Sequence, residues 1–246
     1  MHTDTAIARP AIIGMLTPSS NTVVEPYTSA LSWPLFPAVS IHFGRLRVRR
    51  IALDGDSDQQ FGLEPFLQAA DLLMDAKPDI VAWNGTSASW LGFDKDERLC
   101  DALKEKFGVR STSAVLSLNR LLDRFNVRQL GLVSPYTADV QDKIIENYRK
   151  TGIETVAEAH SDRSDNFSFA ELDEETIARM CRDVAKAKPD AIIILCTNMR
   201  GPMIAAALES QLGIPVMDSV AFTLWGCLDA MGIPMQPLEK FGRIFA

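Results

Sequence analysis

Apolar and polar positions along this chain fall into two alternating regimes. Short, almost unbroken apolar runs at Ala11–Leu16, Ile80–Trp83, Leu130–Val133 and Ala191–Leu195 predict strands buried on both faces. Between them the spacing turns helical. Phe66, Leu67, Ala70, Leu73 and Met74 share one stripe of Glu64–Ala76, and Ile177, Met180, Cys181 and Val184 share one stripe of Asp173–Ala187. Strand runs that alternate with amphipathic helices predict a mainly parallel sheet covered by helices on both faces. Local signals add boundaries. Asp94 with Glu97 three residues on predicts an N-cap and capping box for a helix ending at Phe107, with Gly108 as its stop. Pro202 suits a first helical position, and Gly213 closes that helix.

The pattern is written twice. Lys77-Pro78-Asp79 leads through Ile80–Trp83 to Asn84-Gly85-Thr86-Ser87, and Lys188-Pro189-Asp190 leads through Ala191–Leu195 to Cys196-Thr197-Asn198. Ile13-Gly14-Met15-Leu16-Thr17-Pro18-Ser19 is echoed by Leu130-Gly131-Leu132-Val133-Ser134-Pro135-Tyr136. After each tip, Phe107-Gly108-Val109 leads to Ser113-Ala114-Val115, as Leu212-Gly213-Ile214 leads to Asp218-Ser219-Val220. Three pairs in the same order imply a duplication. The chain is therefore expected to form two pseudo-symmetric, doubly wound α/β lobes, 1–116 and 117–246, with the C-terminal segment free to cross over and pack on the first. In this arrangement Gly85 and Cys196 occupy the same place in the two halves and face each other across a cleft.

With 246 residues, 47% of them hydrophobic, the chain can bury one large core or two modest ones. A formal charge of −7 excludes a nucleic-acid binder that works through a basic face. Arg45, Arg47, Arg49 and Arg50, alternating with Leu46 and Val48, form a local exception that reads as an edge strand or loop with a solvated basic side. The four cysteines, at 100, 181, 196 and 227, have neither disulfide-framework nor zinc spacing. Met1-His2-Thr3-Asp4 does not begin a signal peptide and no run is long enough to cross a bilayer, so a cytoplasmic protein is expected. His2, His42 and His160 form no constellation.

Ligands of parallel sheets bind beyond the carboxyl ends of the strands. Four loops lie there: Thr17–Thr22, Asn84–Ser89, Ser134–Thr137 and Cys196–Asn198. They offer hydroxyls, amides and one thiol, and no histidine or carboxylate. That chemistry suits a carboxylate and its enediolate, and requires neither metal nor cofactor. Taken singly, each residue also has a structural role open to it. A cysteine closing Ile-Ile-Ile-Leu is commonly a buried hydrophobe, Thr86 and Ser87 can cap a helix, Tyr136 can be a packing aromatic, and Asn21 and Asn166 can hold turns. Cys181 and Cys227, among helical apolar residues, read as core.

Over nearly its whole length the chain resembles the aspartate/glutamate racemase superfamily, in the branch of arylmalonate decarboxylase and maleate cis-trans isomerase. Gly85-Thr86-Ser87 followed by Trp90, Ser113–Leu116 and Ser134-Pro135-Tyr136 resemble the decarboxylase, whose first such loop binds a dioxyanion. Pro18-Ser19-Ser20-Asn21-Thr22 and Asp165-Asn166 resemble the isomerase, in which two asparagines bind the substrate carboxylate. Cys196 matches the second-half cysteine of both. The resemblance thus implies substrate binding by Pro18, Ser19, Asn21, Gly85, Thr86, Ser87, Tyr136, Asn166 and Thr197, with Cys196 as catalyst.

The departure is Gly85, where racemases and the isomerase carry a first cysteine. One thiol can deliver a proton to one face only, which is the decarboxylase arrangement. The decarboxylase's glycines after the cysteine are here Thr197-Asn198. The expectation is cofactor-independent decarboxylation of a malonate-like acid through an enediolate protonated by Cys196. The alternatives are a maleate-like cis-trans isomerase and a carboxylate-binding protein without turnover. Phe43, Trp90, Phe167 and Met199 are candidates for apolar walls. Neither a nucleic-acid nor a membrane partner is expected, and an isologous homo-oligomer is expected on general grounds.

Overall fold

A computed structural model describes residues 9–53 and 60–246; Met1–Asp4 and His2 lie outside the described residues. The strands are β1 (Ala11–Pro18), β2 (Val39–Leu46), β3 (Ile80–Trp83), β4 (Arg110–Ser113), β5 (Gln129–Ser134), β6 (Glu154–His160), β7 (Ala191–Ile194) and β8 (Val216–Asp218). The helices are α1 (Val24–Ser32), α2 (Leu63–Met74), α3 (Ala88–Leu91), α4 (Asp94–Phe107), α5 (Ala114–Arg124), α6 (Ala138–Lys150), α7 (Glu174–Ala185), α8 (Ala205–Leu212) and α9 (Ser219–Met231). Short 3-10 turns occupy Trp33–Leu35, Phe167–Glu171, Gln236–Phe241 and Arg243–Phe245.

Two four-stranded sheets result, ordered β2-β1-β3-β4 and β6-β5-β7-β8, and every pairing within them is parallel. The same strand order twice is the structural form of the duplicated sequence, and the fold is the two-lobed α/β class expected. All four residues of β3 and all four of β7 are buried, which explains why neither run alternates with polar residues. Burying each such aliphatic side chain contributes about 1.5–3 kcal/mol.

The Lys-Pro-Asp repeats set the register of these central strands. Lys77 and Lys188 both take left-handed backbone, at φ 51° and 54°. Each turns the chain so that the following aspartate faces the start of the neighbouring strand. Asp79 accepts from Ile12 N at 2.8 Å, while its own N–H donates to Ile12 O at 2.8 Å. Asp190 accepts from Arg128 N and Gln129 N at 2.8 and 2.7 Å, and its N–H donates to Gln129 O. With the starts clamped, Trp83 ends opposite Leu16, and Ile194 opposite Val133. The loops beyond these tips come together as the site.

The C-terminal helix α9 crosses to the first half. It packs along α5 and reaches β3 and β4. Asp218 starts it, accepting from Val220 N and Ala221 N at 2.7 and 3.2 Å. Gly226 permits the close crossing, because a Cβ there would stand 2.7 Å from Ser117 Cβ. The basic residues also fall as read: β2 is an edge strand, Leu46 and Val48 are buried, and Arg45 pairs with Glu25 at 2.9 Å.

Two boundary expectations are corrected. Asp94 is not an N-cap: α4 starts on Phe93, whose carbonyl accepts from Asp96 N and Glu97 N, and the Asp94 carboxylate pairs with Arg98 instead. Gly92, at φ 111°, ends α3 and returns the chain to helix one residue before Asp94 is reached. Pro202 does not begin a helix either. It sits in a turn closed by Ile204 N on Gly201 O, and α8 starts three residues later at Ala205. Gly108 and Gly213 do end their helices, both with left-handed backbone. Cys181 and Cys227 are core residues, and among the described residues no helix is long and apolar enough to cross a membrane.

Candidate active site

Beyond the tips of β1, β3, β5 and β7, four loops enclose a small cavity of about 20 Å³. Its walls are Pro18, Val48, Ile51, Phe61, Trp83, Gly85, Thr86, Ser87, Trp90, Tyr136, Asn166, Cys196 and Thr197. Gly85 and Cys196, equivalent in the duplicated sequence, therefore border one space.

Cys196 follows β7 directly and is buried. Its Sγ accepts a hydrogen bond from Asn198 N at 3.3 Å, and the Tyr136 hydroxyl is a second polar neighbour. Burial pushes its pKa up to about 12, although both neighbours pull the other way. At neutral pH the group is a thiol, a proton donor rather than a resting nucleophile. Tyr136 OH lies 2.6 Å from Thr86 Oγ1, a hydrogen bond across the two halves, with Cys196 the next polar neighbour of the tyrosine. Burial, then the neighbouring Cys196, drives the tyrosine pKa far upward, which keeps its proton in place for donation. The ring is held edge-on between Trp90 and Phe169, at 5.2 and 5.5 Å.

Asparagines tie the remaining loops together. Asn21 Oδ1 accepts from Val23 N and Val24 N, fixing the start of α1, while its Nδ2 donates to Thr197 Oγ1 at 3.2 Å. Thr197 Oγ1 in turn donates to Asn84 O at 3.0 Å. Asn166 Nδ2 donates to Ser20 Oγ at 2.7 Å, and Ser20 Oγ donates to Val48 O at 2.7 Å. Asn21 thus holds a turn and a bond between the halves at once but does not line the cavity, whereas Asn166 lines it and makes a bond between the halves. Ser19 is placed differently. It is exposed, exchanges bonds with the Val48 backbone, and does not line the cavity. Ser87 precedes α3 without a side-chain capping bond, so its hydroxyl is left for the cavity.

Four residues had been passed over. Asn198 accepts from Thr22 N at 2.9 Å and donates to Asn166 O at 2.6 Å, joining three loops behind the thiol. Asp218 is a buried carboxyl at the tip of β8, raised to about 8 by burial despite its backbone donors, and its charge would oppose a thiolate at Cys196. Phe61 closes the outer wall. Trp83 is the fourth, and it decides how the Gly85 place is filled. A Cβ on Gly85 would stand 2.1 Å from Trp83 Cζ2 and 2.3 Å from Cε2, closer than atoms approach without displacement. The indole occupies the space a first cysteine would need. It is locked there by Phe66, edge-on at 4.7 Å. Of the expected apolar walls only Trp90 lines the cavity: Phe167 is exposed, and Met199 and Phe43 are not among the lining residues. The walls come instead from Val48, Ile51, Phe61 and Trp83, because the segment after β2 folds across the strand tips, where Ile51 N bonds Ser164 O.

Gly85→Cys is therefore expected to destabilise the protein by about 1–3 kcal/mol through overpacking, measured by denaturant unfolding. The added change Trp83→Val should recover part of that loss, and equal stability of Gly85→Cys and the parent would contradict this geometry.

The family model for arylmalonate decarboxylase matches residues 13–245. Maleate isomerase of Geobacillus stearothermophilus is 22% identical over 240 residues, covering 90% of this chain and 92% of the relative. Arylmalonate decarboxylase of Bordetella bronchiseptica is 23% identical over 241 residues and covers 95% of both chains. Among solved structures, a cysteine-to-serine variant of Nocardia farcinica maleate cis-trans isomerase, with a covalently bound succinylcysteine intermediate, superposes with a TM-score of 0.85 at 21% identity, covering 96% of this chain and 98% of that one. A glycine-to-cysteine, cysteine-to-serine variant of arylmalonate decarboxylase in liganded form gives 0.82 at 19% identity with the same coverage.

Proposed function

The chain belongs to the arylmalonate decarboxylase family, and on that premise we propose that it decarboxylates a small substituted malonate without a cofactor, using Cys196 as its proton donor. The observation that carries this reading is the pairing of one protonated thiol with a Gly85 place already filled by Trp83. A second acid or nucleophile has no room on that side.

The steps follow from the groups at the cavity. The retained carboxylate of the malonate takes hydrogen bonds from Thr86, Ser87 and Tyr136, which converge from both halves. The other carboxylate faces the apolar walls, where loss of its water shell favours cleavage of the bond to the α-carbon. Carbon dioxide leaves, the bonding electron pair remains, and the retained carboxylate becomes an enediolate. Hydroxyl and backbone donors that strengthen as this charge grows lower the barrier, each by about 3 kcal/mol. The Cys196 S–H proton then passes to the α-carbon, giving the monocarboxylate and a thiolate that regains its proton from water. A thiol whose pKa burial has raised is a weak acid toward water but a competent one toward a far more basic carbanion. The cavity holds about one water-sized sphere, so the substrate enters only as the wall of Val48, Ile51 and Phe61 draws back.

A second reading, cis-trans isomerisation of a maleate-like acid, draws support from Asn166, which lines the cavity as a carboxylate-binding asparagine would, with Asn21 bonded to Thr197 outside that lining. It lacks a nucleophile, because Cys100 lies on α4 and the Gly85 place is filled. Incubation with 2-methyl-2-phenylmalonate and with maleate in deuterium oxide separates the readings. The expected result is carbon dioxide and 2-phenylpropanoate with one deuterium at the α-carbon, with maleate unchanged. Fumarate from maleate would replace this reading with the second. Saturable binding of both acids without turnover would reduce the protein to a carboxylate binder.

A further inference from the structure

Trp83 does more than fill space. Its Nε1 is buried, has no hydrogen-bond partner among the described residues, and lies 2.8 Å from where a Gly85 side chain would begin. The residue lines the same cavity as Thr86, Tyr136 and Cys196. A buried N–H left unpaired is costly, and a ligand oxygen placed at the cavity would offset that cost. The matching position of the second half is Ile194, which has no donor, so the N–H is not a product of the duplication. Phe66 braces the ring at 86° and fixes the direction of the bond before any ligand arrives.

We propose that Trp83 is a substrate-binding residue whose indole N–H donates to an oxygen of the substrate carboxylate held over Gly85, from the place a first thiol would occupy. The proposal rests on the carboxylate-site reading above and adds to it a donor of defined direction. A neutral, rigid donor at this point holds a planar carboxylate through the reaction without offering a nucleophile to it.

The test is the indole proton itself. In full-length Cys196→Ala protein labelled at the indole nitrogen, four indole resonances are expected from the four tryptophans, and Trp83→Phe identifies one by its loss. Titration with 2-methyl-2-phenylmalonate should move the Trp83 resonance downfield and saturate with binding. In otherwise native enzyme, Trp83→Phe should raise KM roughly ten- to a hundredfold, with kcat changed far less, because the bond exists in both ground state and transition state. Saturable binding that shifts other site resonances and leaves the Trp83 proton unmoved overturns this inference and leaves the functional reading intact. No saturable binding of either 2-methyl-2-phenylmalonate or maleate overturns both.

Discussion

Replacing Cys196 with alanine is expected to reduce kcat at least about a thousandfold while the substrate still binds. The thiol is the acid at the cavity proposed to reach the α-carbon, while Tyr136, held 2.6 Å from Thr86, is assigned to the retained carboxylate. General acid catalysis by a placed group contributes 10²–10⁴-fold. Since no second acid is proposed for that face, the loss should fall toward the upper end. Alanine leaves a small void beside Asn198 N and Tyr136 OH but no unpaired charge, so the fold should persist. Carbon dioxide release and proton NMR of the product measure the loss. A variant with more than a tenth of the parent rate would remove Cys196 from the mechanism.

Thr86→Val should lower kcat by about 10²–10³ with little change in KM. Valine keeps the shape of threonine, so the cavity and the edge-on contact of Trp90 with Tyr136 are preserved, and only the hydroxyl is lost. That hydroxyl is the one proposed to donate toward the enediolate, and it lies 2.6 Å from Tyr136 OH. Its contribution appears where negative charge develops, which is why the effect falls on kcat. Steady-state kinetics beside a thermal melt distinguish this from damage to the fold. A rise in KM at constant kcat would show that Thr86 binds substrate and transition state equally.

The sequence made the architecture legible because its signals were local and doubled. The Lys-Pro-Asp turns, the apolar runs and the polar tips each occurred twice, and each fixes backbone over a few residues. The Gly85–Cys196 pairing followed from that symmetry. Trp83 was not legible, since an aromatic ending a buried strand reads as core, and only its orientation over the next glycine but one reveals its place in the site. Asn198 was hidden for a similar reason: its partners Thr22 and Asn166 lie on loops of the other half and of the far side of the sheet. The wall from Val48, Ile51 and Phe61 depends on how an irregular segment folds across the strand tips, and no periodicity encodes that. Asp94 misled because a good capping sequence was overtaken by the backbone turn at Gly92.

A single thiol, opposite a glycine roofed by indole, is proposed to protonate the reacting carbon from one side. The enantiomeric composition of the 2-phenylpropanoate formed from 2-methyl-2-phenylmalonate tests it most directly. One enantiomer, formed with Cys196 present and not with Cys196→Ala, is the predicted result; a racemic product from the unaltered enzyme would contradict it.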